Sequence, residues 1–165
     1  MHDTPILTLT VTDPEMTAAL AARLGRRLTA GDAILLHGPV GAGKSHFARA
    51  LIQARLADIG RYEDVPSPTY TLVQSYELED VEIWHADLYR LSGAHECLEL
   101  GLDQAFENAI CLIEWPEKLG KLAPEGALSL HITAGDTPEA RQLAFSAASG
   151  RWHRLLADMS GEILS

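Results

Sequence analysis

The sequence predicts an α/β fold, with one domain whose central mixed sheet, mainly parallel, is flanked by helices. Short apolar runs alternate with amphipathic segments along the chain. Two of the runs, residues 33–37 and 109–113, are nearly all apolar, as expected of central parallel strands that are covered on both faces. The chain has 165 residues, too few for two ordinary domains, so we expect residues 1–165 to form a single domain.

The first quarter of the chain predicts a strand, a helix and a second strand. Residues 6–12 are rich in β-branched side chains and largely alternate between apolar and polar. Asp13 is placed to cap the helix that follows, Pro14 suits its first position, and Gly31 is expected to end it. The apolar residues on one face of this helix are Leu20, Leu24 and Leu28. Residues 33–37 then form the buried strand.

The middle of the chain predicts a helix, two strands and a less regular segment. From Lys44 to about Ile59, apolar residues recur at helical spacing. Residues 69–78 and 81–88 predict two antiparallel strands joined by an acidic turn. Residues 90–108 are rich in Leu and Glu but contain two glycines, so we expect a mobile loop with one or two short helices.

The last third of the chain predicts strands that complete the sheet and a closing helix. The run 109–113 is a second buried strand, and Pro116 stops it. Residues 128–133 and 142–147 are expected to form the last strands. The apolar residues of a short closing helix are Trp152, Leu155, Leu156 and Met159.

A glycine-rich segment between the strand 33–37 and the helix after it carries the strongest chemical signal. Residues 38–45 read GPVGAGKS, a complete GxxxxGKS motif, and this strand–loop–helix order argues against a chance match. The glycines let backbone N–H groups turn around phosphates, Lys44 reaches the outer phosphates, and the Ser45 hydroxyl coordinates Mg²⁺. The motif thus predicts a P-loop NTPase domain. The predicted nucleotide-binding residues of this segment are Gly38, Val40, Gly41, Ala42, Gly43, Lys44, Ser45 and His46. The side chain of His46 could face solvent as readily as phosphate.

A magnesium nucleotide needs a carboxylate at the end of a neighbouring buried strand, and the sequence offers two candidates. Asp87 follows the run 83–86, and Glu114 ends the run 111–113. Either residue could instead be a strand-end acid in contact with solvent. We expect one of them to hold Mg²⁺ and the other to orient the attacking water.

Other polar and aromatic residues carry weaker signals. Ser67 and Thr69 could sense the γ-phosphate as switch segments do, or they could form a rigid turn before a strand. Trp115 could pack in the core, as most tryptophans do, or stand beside the nucleotide or a partner. His85 and Asp87 form an HxD pair, but alternation on a strand produces the same spacing, so no separate metal site is predicted.

Charge and composition exclude several classes of function. The formal net charge is −10 and no cluster of five Lys or Arg residues offsets it, so unaided binding to nucleic acid is not expected. No apolar run approaches the ~20 residues of a membrane helix, and the N-terminus lacks a secretion signal, which predicts a cytoplasmic protein without membrane contact. Cys97 and Cys111 form no CxxC pair and are expected to be buried small apolar residues.

Two observations limit which nucleotide the protein is expected to bind and which reaction it is expected to catalyse. The one asparagine, Asn108, precedes Ala and Ile, so the NKxD element with which many GTPases read guanine is missing and ATP is favoured. A small-molecule kinase is the natural competitor, because phosphoryl transfer uses the same loop. Such kinases usually bring arginines over the acceptor, whereas Arg90 is the only arginine between Arg61 and Arg141.

Five motifs in order resemble the TsaE family, the ATPases of bacterial tRNA threonylcarbamoyladenosine synthesis. They are GAGKS at 41–45, SPTYTL at 67–72, HADLYRL at 85–91, ELGL at 99–102 and IEWPE at 113–117. The resemblance implies a P-loop α/β fold and a weak ATPase that depends on the partners TsaD and TsaB. These partners transfer the threonylcarbamoyl group to tRNA, and the ATPase resets their complex between turnovers. The protein would then meet tRNA only indirectly, through the complex.

The resemblance also implies roles for single residues. Lys44 contacts phosphate, and Ser45 and Glu114 hold Mg²⁺. Asp87 is needed for hydrolysis, and Trp115 belongs to the active site. The resemblance also implies that Ser67 and Thr69 belong to a nucleotide-sensing loop.

The sequence departs from the family at two positions of the loop. The family commonly has Thr where Ser45 stands and Leu where Val40 stands, and either hydroxyl can bind Mg²⁺. Two hypotheses are carried forward. The protein is an ATPase whose hydrolysis is needed in each cycle, or it is a nucleotide-gated binding module in which hydrolysis is incidental.

Overall fold

The computed structural model describes residues 5–164, with side chains described for residues 5–160. In this part of the chain, seven strands alternate with five α-helices and one 3₁₀ helix. In chain order, the elements are β1 (Leu7–Val11), α1 (Pro14–Gly25), β2 (Ala33–His37), α2 (Lys44–Asp58), β3 (Val73–Glu77), β4 (Glu82–Asp87), α3 (Ala94–Glu99), α4 (Leu102–Asn108), β5 (Ile110–Glu114), the 3₁₀ helix (Pro116–Leu122), β6 (Leu128–Ala134), β7 (Arg141–Ser146) and α5 (Gly150–Leu164).

The seven strands form one mixed sheet in the order β1-β7-β6-β2-β5-β4-β3. The four central strands β6, β2, β5 and β4 are parallel, whereas β7 and β1 at one edge and β3 at the other are antiparallel to their neighbours. The predicted α/β fold is therefore confirmed, as is the antiparallel pairing of β3 with β4. Parallel pairing is confined to the centre of the sheet, where strands are covered on both faces.

Helices cover both faces of the sheet because its strands alternate their side chains. In β2, Ile34 and Leu36 join the apolar cluster beneath α1, α2 and α5, and Leu35 joins the opposite cluster beneath α3, α4 and the 3₁₀ helix. In β5, the same alternation sends Leu112 to the first face and Ile113 to the second. Polar residues of β4 and β5 on the same face of the sheet as Leu36 and Leu112 must therefore point towards the side that α1, α2 and α5 cover.

The first helix ends at Gly25, so the prediction that Gly31 ends it is wrong. The turn after Gly25 keeps Leu28 buried, and the Gly31 N–H donates to the carbonyl of Ala109 at 2.9 Å. The chain thus leaves the helix early to reach the start of β5. A Cβ on Gly25 would lie 2.7 Å from Cγ of Leu51, so this glycine allows α1 and α2 to approach closely.

Two other predicted elements differ in extent, and a third is as predicted. The strand predicted at 69–78 begins only at Val73, because the Leu72 N–H donates to the Pro68 carbonyl at 2.7 Å and closes a turn. The segment 90–108 contains two short helices, as predicted, while its mobility stays a prediction. The closing helix α5 has 15 residues and is not short. Cys97 and Cys111 are both buried, as predicted.

Within the described residues, the helices are all too short or too polar to span a bilayer.

Candidate active site

The candidate site lies where the parallel strands β2, β5 and β4 end at their carboxyl termini, the edge at which open α/β sheets bind ligands. A cavity of about 430 Å³ opens there. Its lining residues are Pro39, Val40, Gly41, Ala42, Gly43, Lys44, Ser45, His46, Arg49, Thr69, Asp87, Tyr89, Glu114 and Trp115. Most residues predicted from the motifs therefore share one cavity.

The glycine-rich loop that follows β2 depends on its glycines. Gly38 has a φ of 151°, and a Cβ there would lie 2.6 Å from the carbonyl oxygen of Ile132. Gly41 and Gly43 have φ values of 82° and 111°, in the left-handed region that other residues rarely adopt. Gly43 immediately precedes α2, so the loop delivers its backbone N–H groups to the positive end of a helix.

Lys44 is buried at the base of this loop. Its ammonium group donates to the carbonyl oxygen of Gly38, and to that of Pro39 at 3.2 Å. Burial lowers the pKa of Lys44 below its ordinary value, and the negative charges of Glu114 and Asp87 partly oppose this shift. Lys44 thus places its ammonium group at the cavity. Its present partners are neutral carbonyl oxygens, which a phosphate oxygen can replace.

Glu114, the last residue of β5, faces α2 as the strand alternation requires. Both of its carboxylate oxygens lie 2.9 Å from the hydroxyl oxygen of Ser45, in the first turn of α2. Nε2 of His85 lies 2.7 Å from Oε2 of the same carboxylate. Only 3% of Glu114 is exposed, so the solvent-facing alternative for this residue is wrong. Of the side chains described, no three from His, Cys, Asp and Glu are grouped to hold a metal ion alone.

Asp87, the last residue of β4, lies opposite Glu114 in the sheet register. It is also buried, and its Oδ1 accepts the backbone N–H of Tyr89 at 3.0 Å. Its Oδ2 lies 3.3 Å from the hydroxyl of Thr69, which in turn lies 2.9 Å from the hydroxyl of Ser67. The two carboxylates predicted from separate motifs are therefore neighbours, and the turn 67–72 contacts one of them.

Trp115 stands beside the site and also packs against the apolar cluster near the 3₁₀ helix. Its ring centroid lies 3.9 Å from Nζ of Lys44 and 4.9 Å from the ring centroid of Tyr89. Its backbone is left-handed, with a φ of 57°, a costly conformation for a residue other than glycine. Trp115 thus packs against the core and also lines the candidate cavity.

Of the remaining predicted residues, Val40 and His46 line the cavity, whereas Gly38 and Ser67 are not among its lining residues. Val40 is 80% exposed at the tip of the loop. His46 lines the cavity, and its Nε2 lies 2.9 Å from the carbonyl oxygen of Pro14, at the start of α1. His46 also lines a second cavity of about 250 Å³, together with Gly43 and Arg141.

Three residues of the site were not predicted. Arg49 lies one turn after Ser45 on α2, a spacing from which its place could have been inferred. Tyr89 follows Asp87 by two residues, but a loop sequence does not reveal its contact with a distant aromatic ring. His85 was noted only for its spacing from Asp87, and its contact with Glu114 depends on the register of β4 with β5.

Comparisons with known proteins show which family the chain resembles. The family model described as "Threonylcarbamoyl adenosine biosynthesis protein TsaE" matches residues 11–143. The chain is 31% identical over 150 residues to the tRNA threonylcarbamoyladenosine biosynthesis protein TsaE of Bacillus subtilis, covering 90% of each chain. It is 35% identical over 127 residues to the protein of the same name from Rickettsia conorii, covering 77% of this chain and 71% of that relative.

A solved structure extends the similarity to nearly the whole fold. The crystal structure of Bacillus subtilis YdiB matches with a TM-score of 0.77 and 26% sequence identity, over 98% of both chains. The family resemblance predicted from five short motifs is thereby confirmed. The chain belongs to the TsaE family of threonylcarbamoyl adenosine biosynthesis proteins.

Proposed function

We propose that this protein is a magnesium-dependent ATPase built on a P-loop domain, and that it supports threonylcarbamoyl transfer to tRNA adenosine. It acts on a complex of TsaD and TsaB homologues and allows that complex to turn over repeatedly. One observation carries the proposal. Lys44, Ser45, Asp87 and Glu114 come from three separate elements and meet in one cavity at the glycine-rich loop.

The loop and Lys44 suit the phosphates of ATP. Left-handed glycines at 41 and 43 expose backbone N–H groups, and the N-terminus of α2 adds a positive partial charge. The ammonium group of Lys44 is buried beside them. Among the described residues it donates hydrogen bonds to loop carbonyls and lies over the Trp115 ring. A bound phosphate would replace these neutral acceptors with a negatively charged one, and a hydrogen bond between two ionised groups is stronger.

The donor set beside the loop suits Mg²⁺. The Ser45 hydroxyl and the Glu114 carboxylate are oxygen ligands 2.9 Å apart, and Mg²⁺ prefers oxygen ligands. Two protein ligands leave most of the six positions to water and phosphate oxygens, which is the usual arrangement for a magnesium nucleotide. When bound, Mg²⁺ would withdraw charge from the outer phosphates.

Asp87 is assigned to hydrolysis. Its carboxylate lines the same cavity as Lys44 but contacts neither Ser45 nor Glu114 by a hydrogen bond within the described residues. Thr69 donates to it, so the turn 67–72 is attached directly to the group that would orient the attacking water. This contact also favours the turn as the segment that reports on the γ-phosphate.

The proposed contact with tRNA is indirect. A net charge of −10 opposes direct binding to the tRNA backbone, so the proposed contact with tRNA runs through TsaD and TsaB homologues. A salt-dependent, submicromolar complex of the isolated protein with tRNA would contradict this part of the proposal.

ATP hydrolysis tests the proposal. We expect slow hydrolysis by the purified chain, an increase when TsaD and TsaB homologues are added, and a loss of roughly 100-fold or more in Lys44→Ala. Lys121→Ala is the matched control, because Lys121 is an exposed lysine outside the cavity. Turnover that ignores the partners would favour a stand-alone NTPase, and phosphate transferred to an added acceptor would reveal a kinase.

The contact between Thr69 and Asp87 also favours a second candidate, a nucleotide-gated binding module. In that case ATP occupancy alone orders the turn 67–72 for a partner, and hydrolysis is incidental. Asp87→Ala separates the two. Persistent nucleotide and partner binding with loss of repeated modification supports the ATPase, whereas continued turnover supports the gate.

A further inference from the structure

His85 is a buried side chain to which the proposed function assigns no role. It lies on β4, opposite Leu112 of β5 and Gln74 of β3. None of its surface is exposed. Its Nε2 lies 2.7 Å from Oε2 of Glu114, and its Nδ1 has no hydrogen-bond partner within the described part of the chain.

The chemistry of the pair fixes which nitrogen carries the proton. An ionised carboxylate can only accept hydrogen bonds, so Nε2–H of His85 donates to Glu114. In the neutral ring Nδ1 is then a bare acceptor. A buried acceptor without a partner costs free energy, which an apolar residue at this position would avoid.

The surroundings make an apolar residue the expected choice. Ile83, two residues earlier on the same face of β4, is fully buried, and so is Leu112 on the adjacent strand. A histidine placed among such residues adds nothing that packing requires. What distinguishes it is the single bond from Nε2 to Glu114.

The other groups around Glu114 have competing partners. The Ser45 hydroxyl is shared between both carboxylate oxygens and lies 3.4 Å from the hydroxyl of Ser67. Lys44 acts on the carboxylate through its charge, while its ammonium bonds to loop carbonyls. Only the imidazole of His85, held in a central strand pair, has Glu114 as its sole hydrogen-bond partner among the described residues.

We propose that His85 is a positioning residue that holds the Glu114 carboxylate in place for Mg²⁺, an inference that rests on the proposed function. The Ser45 hydroxyl is itself a proposed Mg²⁺ ligand, whereas His85 contacts the carboxylate without belonging to that ligand pair and can hold it in place independently of the metal. Partners of ligating carboxylates act in this way in metal sites generally, and removing such a partner typically weakens metal affinity 10- to 100-fold.

Binding of ADP with and without Mg²⁺, measured by calorimetry, tests the inference without any readout of catalysis. We define the magnesium gain as the ratio of ADP affinities with and without Mg²⁺. In His85→Leu we expect the gain to fall about 10-fold, with ADP affinity in the absence of Mg²⁺ unchanged within about twofold. His85→Gln, whose amide N–H can take the place of Nε2–H, should keep most of the gain.

Two controls separate positioning from packing. His85→Asn is also polar, but its amide is too short to reach the Nε2 position, so it should lose the gain as His85→Leu does. Tyr76→Phe removes another buried polar atom without a partner, on the neighbouring strand β3, and should leave the gain unchanged.

The outcomes are distinguishable. If the wild-type protein shows no magnesium gain, the proposed function itself is overturned. If the wild type shows the gain and His85→Leu retains it fully, only the role of His85 is overturned. Equal loss in His85→Gln and His85→Asn would also overturn it, because a role in packing predicts that result. If His85→Leu does not fold, the comparison of Gln with Asn decides.

Discussion

The two ends of the central strands differ sharply although they belong to one sheet. At the amino ends of β4 and β5, Ile83 and Ile110 are fully buried apolar residues. At the carboxyl ends, Asp87 and Glu114 are buried almost as deeply, and Lys44 lies beside them. Burying apolar surface stabilises the fold, whereas burying charge costs free energy that is only partly offset by pairing.

The backbone shows the same contrast. Among residues 5–164, the residues other than glycine with positive φ are Leu72 and Trp115, and both adjoin the strand ends that carry the acids. Backbone strain of this kind costs of order 1–3 kcal/mol at each position and concentrates at functional sites. The amino ends of the central strands therefore stabilise the fold. At the carboxyl ends, the buried charges and the strained backbone around the cavity lower that stability.

Ile110→Ala should produce the largest change, and it should act on stability alone. Removing a fully buried isoleucine typically costs 2–5 kcal/mol, so we expect a loss of about 3 kcal/mol in unfolding free energy in urea. ADP affinity, measured where the variant is folded, should stay within about twofold. Ile59→Ala, at a half-buried residue after α2, should cost less. A large loss of ADP affinity would break the division between the two strand ends.

Glu114→Gln tests the other end of the same strand. The amide keeps the shape of the side chain but removes the charge, so ATP hydrolysis should fall about 100-fold, equivalent to about 2.7 kcal/mol. The unfolding free energy should not fall by more than about 1 kcal/mol, since a buried amide costs less than a buried carboxylate. A stability loss as large as that of Ile110→Ala would show that Glu114 is structural.

Cys111 sharpens the comparison because it lies between these two residues on β5 and is fully buried. Burial raises the pKa of its thiol from about 9 to about 12. The folded protein therefore keeps a proton that the unfolded chain loses above pH 9, and stability falls as pH rises from about 9 to about 12, by about 1.4 kcal/mol per unit. Between pH 8 and pH 10.5, the wild type should lose about 2 kcal/mol more unfolding free energy than Cys111→Val. Equal losses in urea titrations at the two pH values would contradict this.

Arg141→Ala should have the smallest effect, on the support of the loop. Nε of Arg141 donates to the carbonyl oxygen of Ala42 at 3.0 Å, and Nη1 donates to that of Pro138 at 2.8 Å. Loss of these bonds should weaken ADP binding about fivefold, or about 1 kcal/mol, because the loop loses its attachment to β7. Arg154→Ala, at an exposed arginine on α5, is the matched control. Unchanged ADP affinity in Arg141→Ala would show that the glycines alone hold the loop.

Much of the sheet could be predicted because the local sequence decides it. The apolar runs at 33–37 and 109–113 are central strands, and Asp13 caps α1 by accepting the N–H of Met16 at 2.9 Å. One prediction failed because distant residues intervene. The helix α1 ends at Gly25 because the following turn must reach the carbonyl of Ala109, which no local pattern at residues 25–31 reveals.

The sequence by itself determined the glycine-rich loop, the order of elements and the two acids at the strand ends, because each depends on neighbours in the chain. Only the tertiary structure decided that Glu114 contacts Ser45 and His85, and that Asp87 accepts a hydrogen bond from Thr69. Those contacts follow from the register of β4 with β5 and from the side of the sheet on which α2 packs. Register and packing arise from burial across the whole domain, and a one-residue shift of β4 would have turned His85 and Asp87 to the other face.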